Sequence, residues 1–412
     1  MNPARQAVAD AHRHEWAAVL AATVRVTRDL DLAEECVQDA YAAALGDWTR
    51  GGVPSKPGAW LTTAARHNAL DALRRARTLR SKLHLLVEPE RAGAPASDGD
   101  DRLRLVFLCC HPALAVEAQV ALTLRVVCGV ATPDVAKAFL VSEPTMAARI
   151  TRAKKKIATA GIPFRMPGAA ELPARVDAVL TVIHLLFTTG HTAPTGPELT
   201  RTGIAEHALD LARLLHGLLP GECEVRGLLA LLLANHARRA TRTADDGRLL
   251  LLEEQDRSVW DAGVIAEAHE LVVGALRGGG PGRFALQAAI AALHASAPSY
   301  SDTDWPQILV LYNALLKVWP SPVVALNRAV AVSMADGPAP ALAEIESLER
   351  DGGLVGYRYL PAVKADLLRR LGKAPEAAAE YERALALTDN EAERAFLLGR
   401  LSETGGTPSS KD

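Results

Sequence analysis

Apolar residues recur at helical spacing along most of the chain, and the two-residue alternation typical of strands is scarce. The clearest case is the segment 145–157, where one apolar stripe follows positions i, i+4, i+7 and i+11. Ser142 before it is a favourable N-cap residue, and Pro144 falls in the first turn, where a missing amide costs nothing. The stripe consists of Met146, Ile150, Ala153 and Ile157. The pattern predicts a helix that buries this stripe.

A second helix signal lies just upstream. Thr132-Pro133-Asp134 starts a short helix that runs through Leu140, and a tight turn follows at Val141-Ser142. Two helices at this spacing are typical of a helix-turn-helix, whose second helix reads the major groove. The side of the second helix opposite the stripe holds no acidic residue, and it carries Thr145, Ala148, Arg149, Arg152, Lys155 and Lys156. An ordinary helix hairpin with a solvated basic face is the alternative interpretation.

The periodic segments together predict an all-α protein of several domains. Its 412 residues are enough for two or three separate cores. We expect a first helical domain over residues 5–82, with an acidic helix at 30–48 and a basic helix at 59–80. A polar linker over 83–102, rich in small residues and expected to be flexible, leads to a second helical domain at 103–160.

The third and largest domain, residues 172–403, is a series of amphipathic helices separated by Gly and Pro. Near its end, similar sequences surround Gly337 and Gly372, which lie 35 residues apart, close to the tetratricopeptide period. Stacked repeats of this kind form a concave surface that usually binds protein. The sequence therefore predicts either a repeat array or an irregular helical domain with tetratricopeptide-like pairs.

Charge is nearly balanced over the whole chain but not along it. Net charge is -2, so overall electrostatics predicts no polyanionic partner. Residues 60–84 are strongly basic, as is the second helix of the helix-turn-helix, whereas residues 23–48 are predominantly acidic. This separation predicts a DNA-binding face and a distinct protein-binding face.

Other features restrict the class of protein. The N-terminus has no secretory signal pattern, and no uncharged apolar run reaches the roughly 18 residues that a membrane span needs, so we expect a cytoplasmic protein without a membrane partner. The five cysteines have no CxxC spacing and are expected to be reduced structural thiols, with no metal site and no cofactor. Hydrolase motifs are absent, which predicts that the chain is not an enzyme.

Residues 1–160 resemble a bacterial RNA polymerase sigma factor of the extracytoplasmic-function group. The segment 31–41, DLAEECVQDAY, is similar to the helix that docks on polymerase, and 60–75, WLTTAARHNALDALRR, is similar to the helix that opens and reads the minus-ten element. Residues 103–157 are similar to the fourth region, whose last helix reads the minus-thirty-five element. Segments between 255 and 394 resemble the subfamily with a fused C-terminal tetratricopeptide-like domain.

The resemblance implies partners and residue roles. The partners are core RNA polymerase and promoter DNA, with a protein or intramolecular partner for the C-terminal domain, and the protein would be nucleoid-associated. The clamp helices of the largest polymerase subunit would contact Asp31, Glu34, Glu35, Gln38 and Asp39. DNA would contact Trp60, Arg66, His67, Asn68, Arg74, Arg75 and Arg77 of the basic helix, and Thr145, Ala148, Arg149, Arg152, Lys155 and Lys156 of the reading helix. The run Lys154–Lys156 is expected to position the DNA backbone rather than to specify bases.

The sequence departs from the family pattern at three places, of which the first two bear on promoter specificity. His67 precedes Asn68 where relatives have Asn directly after Ala-Arg, so a minus-ten base contact is altered or shifted. Ala147 stands where many relatives have Lys or Arg, and residues 187–191, FTTGH, replace the customary FNEGY of the extension.

We therefore expect a sigma factor that directs promoter-specific transcription and is regulated in cis by its C-terminal domain. The alternative is a DNA-binding regulator with a tetratricopeptide effector domain that does not join polymerase. That alternative leaves the acidic helix without a role.

Overall fold

A computed structural model describes residues 3–83, 101–139, 141–192, 195–196, 202–244, 248–277 and 280–405. The described chain is almost entirely helical, which confirms the predicted all-α class. It divides into two compact units, residues 1–185 and residues 186–412, and the division falls within one helix.

Three long helices form the first part of the N-terminal unit: α1 (Pro3–Thr27), α2 (Leu30–Gly51) and α3 (Pro57–Leu83). Helix α2 begins where predicted because the Asp29 side chain accepts hydrogen bonds from the amides of Asp31 and Leu32. Both predicted helices are present. The acidic helix α2 ends three residues later than predicted, and the basic helix α3 begins two residues earlier and ends three residues later than predicted. The core between them is apolar and includes Leu20, Val37 and Leu61.

The second part of this unit contains four helices: α4 (Asp101–Cys109), α5 (Val116–Leu122), α6 (Thr132–Ala138) and α7 (Glu143–Thr159). A π-helical turn, Thr123–Val127, continues α5 and was not predicted. Most of the expected linker, residues 84–100, lies outside the described residues, as does Leu140 at the end of the predicted short helix.

The two parts of the N-terminal unit pack directly on each other. The indole Nε1 of Trp16 in α1 donates to the carbonyl oxygen of Val126 at 3.0 Å. Arg25 pairs with Asp101 at 3.1 Å between the end of α1 and the start of α4. The first two predicted domains therefore share one compact unit in this conformation.

Helix α8 (Leu172–His191) is the one described helix that is long and apolar enough to cross a membrane. It nevertheless carries Arg175 and Asp177, and the Arg175 guanidinium donates to the carbonyl oxygen of Phe107 in α4. Core helices of globular proteins can have the same length and apolar composition, so these two properties do not identify α8 as a membrane span.

The C-terminal unit is a succession of helices joined by short turns. The main helices are α9 (Thr202–Leu218), α10 (Cys223–His236), α11 (Ala262–Arg277), α12 (Arg283–Ser296), α13 (Trp305–Val318), α14 (Pro322–Ala335), α15 (Pro338–Asp351), α16 (Tyr359–Arg370), α17 (Ala374–Ala386) and α18 (Glu391–Glu403). Two short 3₁₀ helices, Arg239–Thr241 and Arg257–Val259, lie between α10 and α11. The strands β1 (Thr195–Gly196) and β2 (Asp389–Asn390) pair in parallel.

The predicted 35-residue repeat corresponds to two helix pairs, α14–α15 and α16–α17. Gly337 and Gly372 occupy equivalent turns, with φ of 98° and 74°, a left-handed region that favours glycine. Small and large side chains are both buried in each pair, such as Ala341 and Leu342 in one and Ala377 and Tyr381 in the other. These helix pairs fit the tetratricopeptide-like interpretation.

Candidate polymerase and nucleic-acid interface

Helix α7 has the buried stripe and the cap that the sequence predicts. The Ser142 hydroxyl oxygen accepts a hydrogen bond from the Thr145 amide at 3.3 Å, and Pro144 lies in the first turn. The four stripe residues, Met146, Ile150, Ala153 and Ile157, are all buried. This anchoring fixes the opposite side of α7 toward solvent.

The solvent side of α7 is a basic face whose charges are not neutralised by any described acidic residue. Thr145, Ala148, Arg152, Lys155 and Lys156 are exposed, and Arg149 is half-exposed. None of the four cations on this face has an ion-pair partner among the described residues. Arg152 instead donates from Nε to the Ala148 carbonyl oxygen at 3.2 Å, one turn earlier. The exposed cations are therefore available to a polyanion.

Helix α3 presents a second basic face. Arg66, His67, Arg74 and Arg75 are exposed, whereas the side chain of Arg77 lies outside the described residues. Arg74 pairs with Asp71 at 3.2 Å, but both side chains are exposed, and such pairs contribute little and exchange readily. His67 thus adds an exposed imidazole next to Arg66, at the position where the sequence departs from the family pattern.

Two other residues expected to contact DNA hold α3 against α2. The Asn68 amide Nδ2 donates to the Cys36 carbonyl oxygen at 3.1 Å, and Asn68 is half-buried. The Trp60 ring packs edge-to-face on Trp48, with centroids 5.7 Å apart. The structure thus gives both side chains a packing role and does not bring them onto the exposed basic face.

The acidic side of α2 separates into two groups. Glu35, Gln38 and Asp39 are exposed and lie at i, i+3 and i+4, on one face of the helix. Asp31 and Glu34, by contrast, both contact α7, and Glu34 is only 7% exposed. The five residues expected to bind polymerase therefore do not form one uniform surface.

Lys154 is the residue on α7 that engages this second group. Its Nζ lies 2.7 Å from Asp31 Oδ1 and 2.8 Å from Glu34 Oε2, and Arg125 Nε approaches the other oxygen of Glu34 at 3.8 Å. Burial by itself lowers the pKa of Lys154, but the carboxylates of Glu34 and Asp31 outweigh burial and keep that pKa above its ordinary value. The ammonium is therefore charged and locked between the two helices.

The expectation that Lys154 acts with Lys155 and Lys156 on the DNA backbone is wrong for this conformation. Lys154 lies one turn after Ile150 and beside Ala153, so its Cβ sits at the edge of the buried stripe rather than on the basic face. The position of Lys154 relative to the stripe could be predicted from the sequence. Its pairing with carboxylates 120 and 123 residues away could not.

Comparisons with known proteins follow the same division of the chain. Residues 5–78 match the family Sigma-70 region 2, and residues 104–157 match Sigma-70, region 4. Residues 175–276 match a family of unknown function, DUF6596. An uncharacterised protein of Rhizobium meliloti (strain 1021) is 44% identical over 399 residues, which cover 94% of this chain and 94% of that protein. No solved structure matches the chain.

Proposed function

Because the chain belongs to the extracytoplasmic-function-like sigma factors with a fused C-terminal domain, we propose that it binds core RNA polymerase through α2 and reads promoter DNA through α3 and α7. The observation that carries the proposal is the basic face of α7. Four cations occur there on a helix that is anchored by its opposite side, and none is neutralised by a described acidic residue.

Helix α7 has the chemistry of a major-groove reader. Arg149 and Arg152 can contact phosphate or the acceptor edge of guanine, and Thr145 and Ala148 can meet base edges near the N-terminus of the helix. Lys155 and Lys156 follow on the same face and would fix the register on the phosphate backbone. Because Ala147 is also exposed, its lack of charge leaves a neutral surface where many relatives are basic.

Helix α3 has the charge needed to hold a locally opened strand. A sigma factor must separate the strands at the minus-ten element, which requires phosphate neutralisation together with contacts to unstacked bases. Arg66, Arg74 and Arg75 are exposed along this helix, and His67 offers an exposed ring. Trp60 and Asn68 would then act by fixing the orientation of α3 on α2.

Glu35, Gln38 and Asp39 are the residues best placed to bind the clamp helices of polymerase, because they are exposed and none pairs with a described cation. Glu34 is buried and becomes available only when Lys154 releases it, whereas Asp31 is exposed even while it pairs with Lys154. Polymerase and α7 therefore compete for the same part of α2.

Promoter recognition at two elements requires such a release. The two promoter elements are centred about 25 base pairs apart, on the order of 85 Å at the 3.4 Å rise of DNA. A compact unit of the length of the N-terminal unit has a diameter of only about 40 Å. Residues 84–100 connect the two parts and could reach on the order of 60 Å when extended. We infer that α3 and α7 separate when the protein binds a promoter.

The direct test is run-off transcription by purified core polymerase with the full chain on its own genomic targets. We expect promoter-dependent transcripts that disappear with an Arg149→Ala, Arg152→Ala variant and persist with Arg350→Ala, which removes an exposed cation of α15. Absence of both core binding and promoter-dependent transcript would refute the proposal.

The pairing of Asp31 and Glu34 with Lys154 is the one observation that favours the alternative, a DNA-binding regulator that does not join polymerase. Capture of core polymerase distinguishes the two. A sigma factor retains the core, and reversing the charge of Glu35 and Asp39 reduces that retention without changing helix content. A regulator of the alternative class binds promoter DNA but retains no core polymerase in either form.

Regulation in cis by the C-terminal unit is part of the proposal, as is a cytoplasmic, nucleoid-associated location. About 240 helical residues follow the two DNA-reading parts, which is far more than promoter recognition needs. Transcription by a chain that ends near residue 165 should therefore differ from transcription by the full chain at equal core occupancy. Equal activity of the two chains would remove the regulatory role.

A further inference from the structure

The C-terminal unit contains a cavity of about 600 Å³. It opens to solvent and is lined mainly by α14, α16 and α18, with contributions from α12, α13 and α17, from residues 251–253 and from Tyr300. Its volume is in the range of sites that bind small molecules.

Aromatic side chains form much of the cavity wall. The rings are those of Tyr300, Trp305, Tyr312, Tyr381 and Phe396. Aromatic walls favour a flat apolar group, which can stack or pack edge-on against them. Five aromatic residues around one cavity are conspicuous in a chain with only 4% aromatic residues.

His294 and Arg369 each place a buried, unpartnered nitrogen atom in a residue of the wall, and His294 is the uncharged one of the two. Its Nδ1 is buried and has no hydrogen-bond partner within the described structure. Burial, reinforced by Arg238 and Arg257, lowers the pKa of His294 to about 4, so the imidazole is neutral at physiological pH. A buried polar atom without a partner costs free energy, and a ligand carrying an N–H or O–H group would satisfy it.

Two charged side chains on the wall have no partner of opposite charge among the described residues. Arg370 donates to the hydroxyl and the carbonyl oxygen of Ser333, at 3.0 and 2.9 Å, and pairs with no described carboxylate. Glu253 is exposed and pairs with no described cation. Both charges act on the half-buried Tyr300 phenol: burial chiefly raises its pKa, Glu253 raises it further, and Arg370 opposes them.

The other charges on the wall are already compensated. Arg369 pairs with Asp366 at 2.7 Å, and Arg400 pairs with Glu403 at 2.9 Å. One cation and one anion of the described wall therefore remain uncompensated, both close enough to Tyr300 to influence it. Both side chains are exposed, so a molecule with a single charge would engage only one of them and leave the other hydrated.

We propose that this cavity binds a small aromatic zwitterion, such as an aromatic amino acid or a close derivative. The carboxylate of the ligand pairs with Arg370, its ammonium group with Glu253, and its ring enters the aromatic wall toward His294. The site is independent of polymerase and DNA, so it stands whether or not the chain acts as a sigma factor.

The test uses four probes that share one indole ring: L-tryptophan, indole-3-propionate, tryptamine and indole. Titration calorimetry of the full chain should show the highest affinity for L-tryptophan, intermediate affinities for the singly charged indole-3-propionate and tryptamine, and the lowest affinity for indole. Tryptophan should bind at least tenfold more tightly than indole. Arg370→Gln should weaken tryptophan and indole-3-propionate about tenfold while leaving tryptamine unchanged. Glu253→Gln should weaken tryptophan and tryptamine and leave indole-3-propionate unchanged.

Controls separate recognition from folding. Arg350→Gln and Glu346→Gln remove exposed charges of α15 outside the cavity and should not change any affinity. Arg370→Lys keeps the charge but loses the fork of bonds to Ser333, and it should bind tryptophan more tightly than Arg370→Gln. The proposal is overturned if no probe binds saturably at millimolar concentration, if indole binds as tightly as tryptophan, or if the variants weaken all four probes equally.

Discussion

Gly227 lies where the backbone of α10 passes close to the backbone of α12. A Cβ atom at this position would lie 2.6 Å from the amide nitrogen of Ala285 and 2.7 Å from its Cα. These are backbone atoms, so neither helix can relieve the clash by rotating a side chain. We expect Gly227→Ala to lower the free energy of unfolding by about 1–3 kcal/mol through overpacking.

Gly399 in α18 is the matched control. It is exposed, and a Cβ atom there would meet nothing within 4 Å. Gly399→Ala should therefore raise stability by up to about 1 kcal/mol, because alanine loses less backbone entropy in a helix. Urea unfolding of both variants checks the pair, and a neutral Gly227→Ala would contradict the close helix crossing.

His191 makes the free energy of unfolding of the C-terminal unit depend on pH. Its ring stacks on Phe187 with centroids 5.1 Å apart, and burial, reinforced by Arg242 and Arg238, lowers its pKa to about 2. The unfolded chain binds a proton near pH 6.5 and the folded chain does not, so stability falls as pH drops below about 6.5. The loss at pH 5 amounts to about 2 kcal/mol.

Unfolding free energies measured at pH 7 and pH 5 test this value. A His191→Phe variant keeps a ring against Phe187 but has no proton to bind, so its loss between the two pH values should be smaller by about 2 kcal/mol. Between pH 7 and 8 the unfolding free energies of the wild-type protein and the His191→Phe variant should change by the same amount. An identical loss at pH 5 would mean that His191 is accessible to protons in the folded state.

At the scale of single residues, spacing predicted which side chains of α7 are buried, because helical periodicity depends only on neighbours in the chain. It did not predict the role of Lys154, Asn68 or Glu34. Each of these polar side chains bonds to a partner from another helix. Such pairings depend on how helices cross, which local sequence does not encode.

At the scale of the element, α7 is expected to neutralise DNA phosphates. Arg149→Ala, Arg152→Ala should weaken binding to duplex that contains the upstream promoter element. It should also reduce the slope of log affinity against log salt by roughly 0.9 for each phosphate that the variant no longer neutralises. Binding titrations at several salt concentrations measure that slope. An unchanged slope would show that neither guanidinium touches the DNA backbone, and Arg350→Ala serves as the control.

The ion pairs between α7 and α2 contribute to the free energy of unfolding of the N-terminal unit. Lys154→Met leaves the buried carboxylate of Glu34 with only the more distant Arg125, so we expect a loss of about 2–3 kcal/mol in the N-terminal unit. Lys155→Met, on the exposed side of the same helix, should change stability by less than about 0.5 kcal/mol.

A double-mutant cycle isolates that contact. Glu34→Gln combined with Lys154→Met removes both buried charges and should recover part of the loss, with a coupling energy of about 1 kcal/mol or more. Thermal or urea unfolding of the four proteins supplies the cycle. Strict additivity would mean that the two side chains do not interact in solution.

The helices themselves were largely predictable, and their exact ends less so. The acidic helix begins at Leu30 as predicted because a local cap, Asp29, sets that end. It continues to Gly51 rather than residue 48, because its last turn has no comparable stop signal before the glycine pair. The π-helical turn Thr123–Val127 had no signature in the sequence, since its residues are ordinary helix and strand formers.

At the scale of the whole molecule, the all-α class and the repeat pairs followed from composition and periodicity. The sequence also predicted separate domains at 5–82 and 103–160, whereas the structure holds both stretches in one compact unit. What joins them is a small set of long-range contacts, such as Trp16 with Val126 and Lys154 with Asp31. No periodic pattern reports contacts of this kind.

The compact N-terminal unit is expected to open when it binds a promoter. Labels on Thr63→Cys in α3 and Ala158→Cys in α7, both exposed, report the separation of the two DNA-reading helices. The half-buried Cys128 and Cys223 are replaced by Ser to limit background labelling. Energy transfer should be high in the free protein, whose compact unit has a diameter of about 40 Å.

Addition of core polymerase and promoter DNA should lengthen the label distance to the order of 60 Å or more, since the promoter elements are about 25 base pairs apart. Lys154→Met removes the ion pairs that hold α7 to α2, so it should shift the free protein toward the open state and raise its affinity for core polymerase. Lys155→Met should leave both the distance and the affinity unchanged. Productive promoter complexes with an unaltered short distance would show that α3 and α7 do not read separate elements, because one compact unit cannot span both.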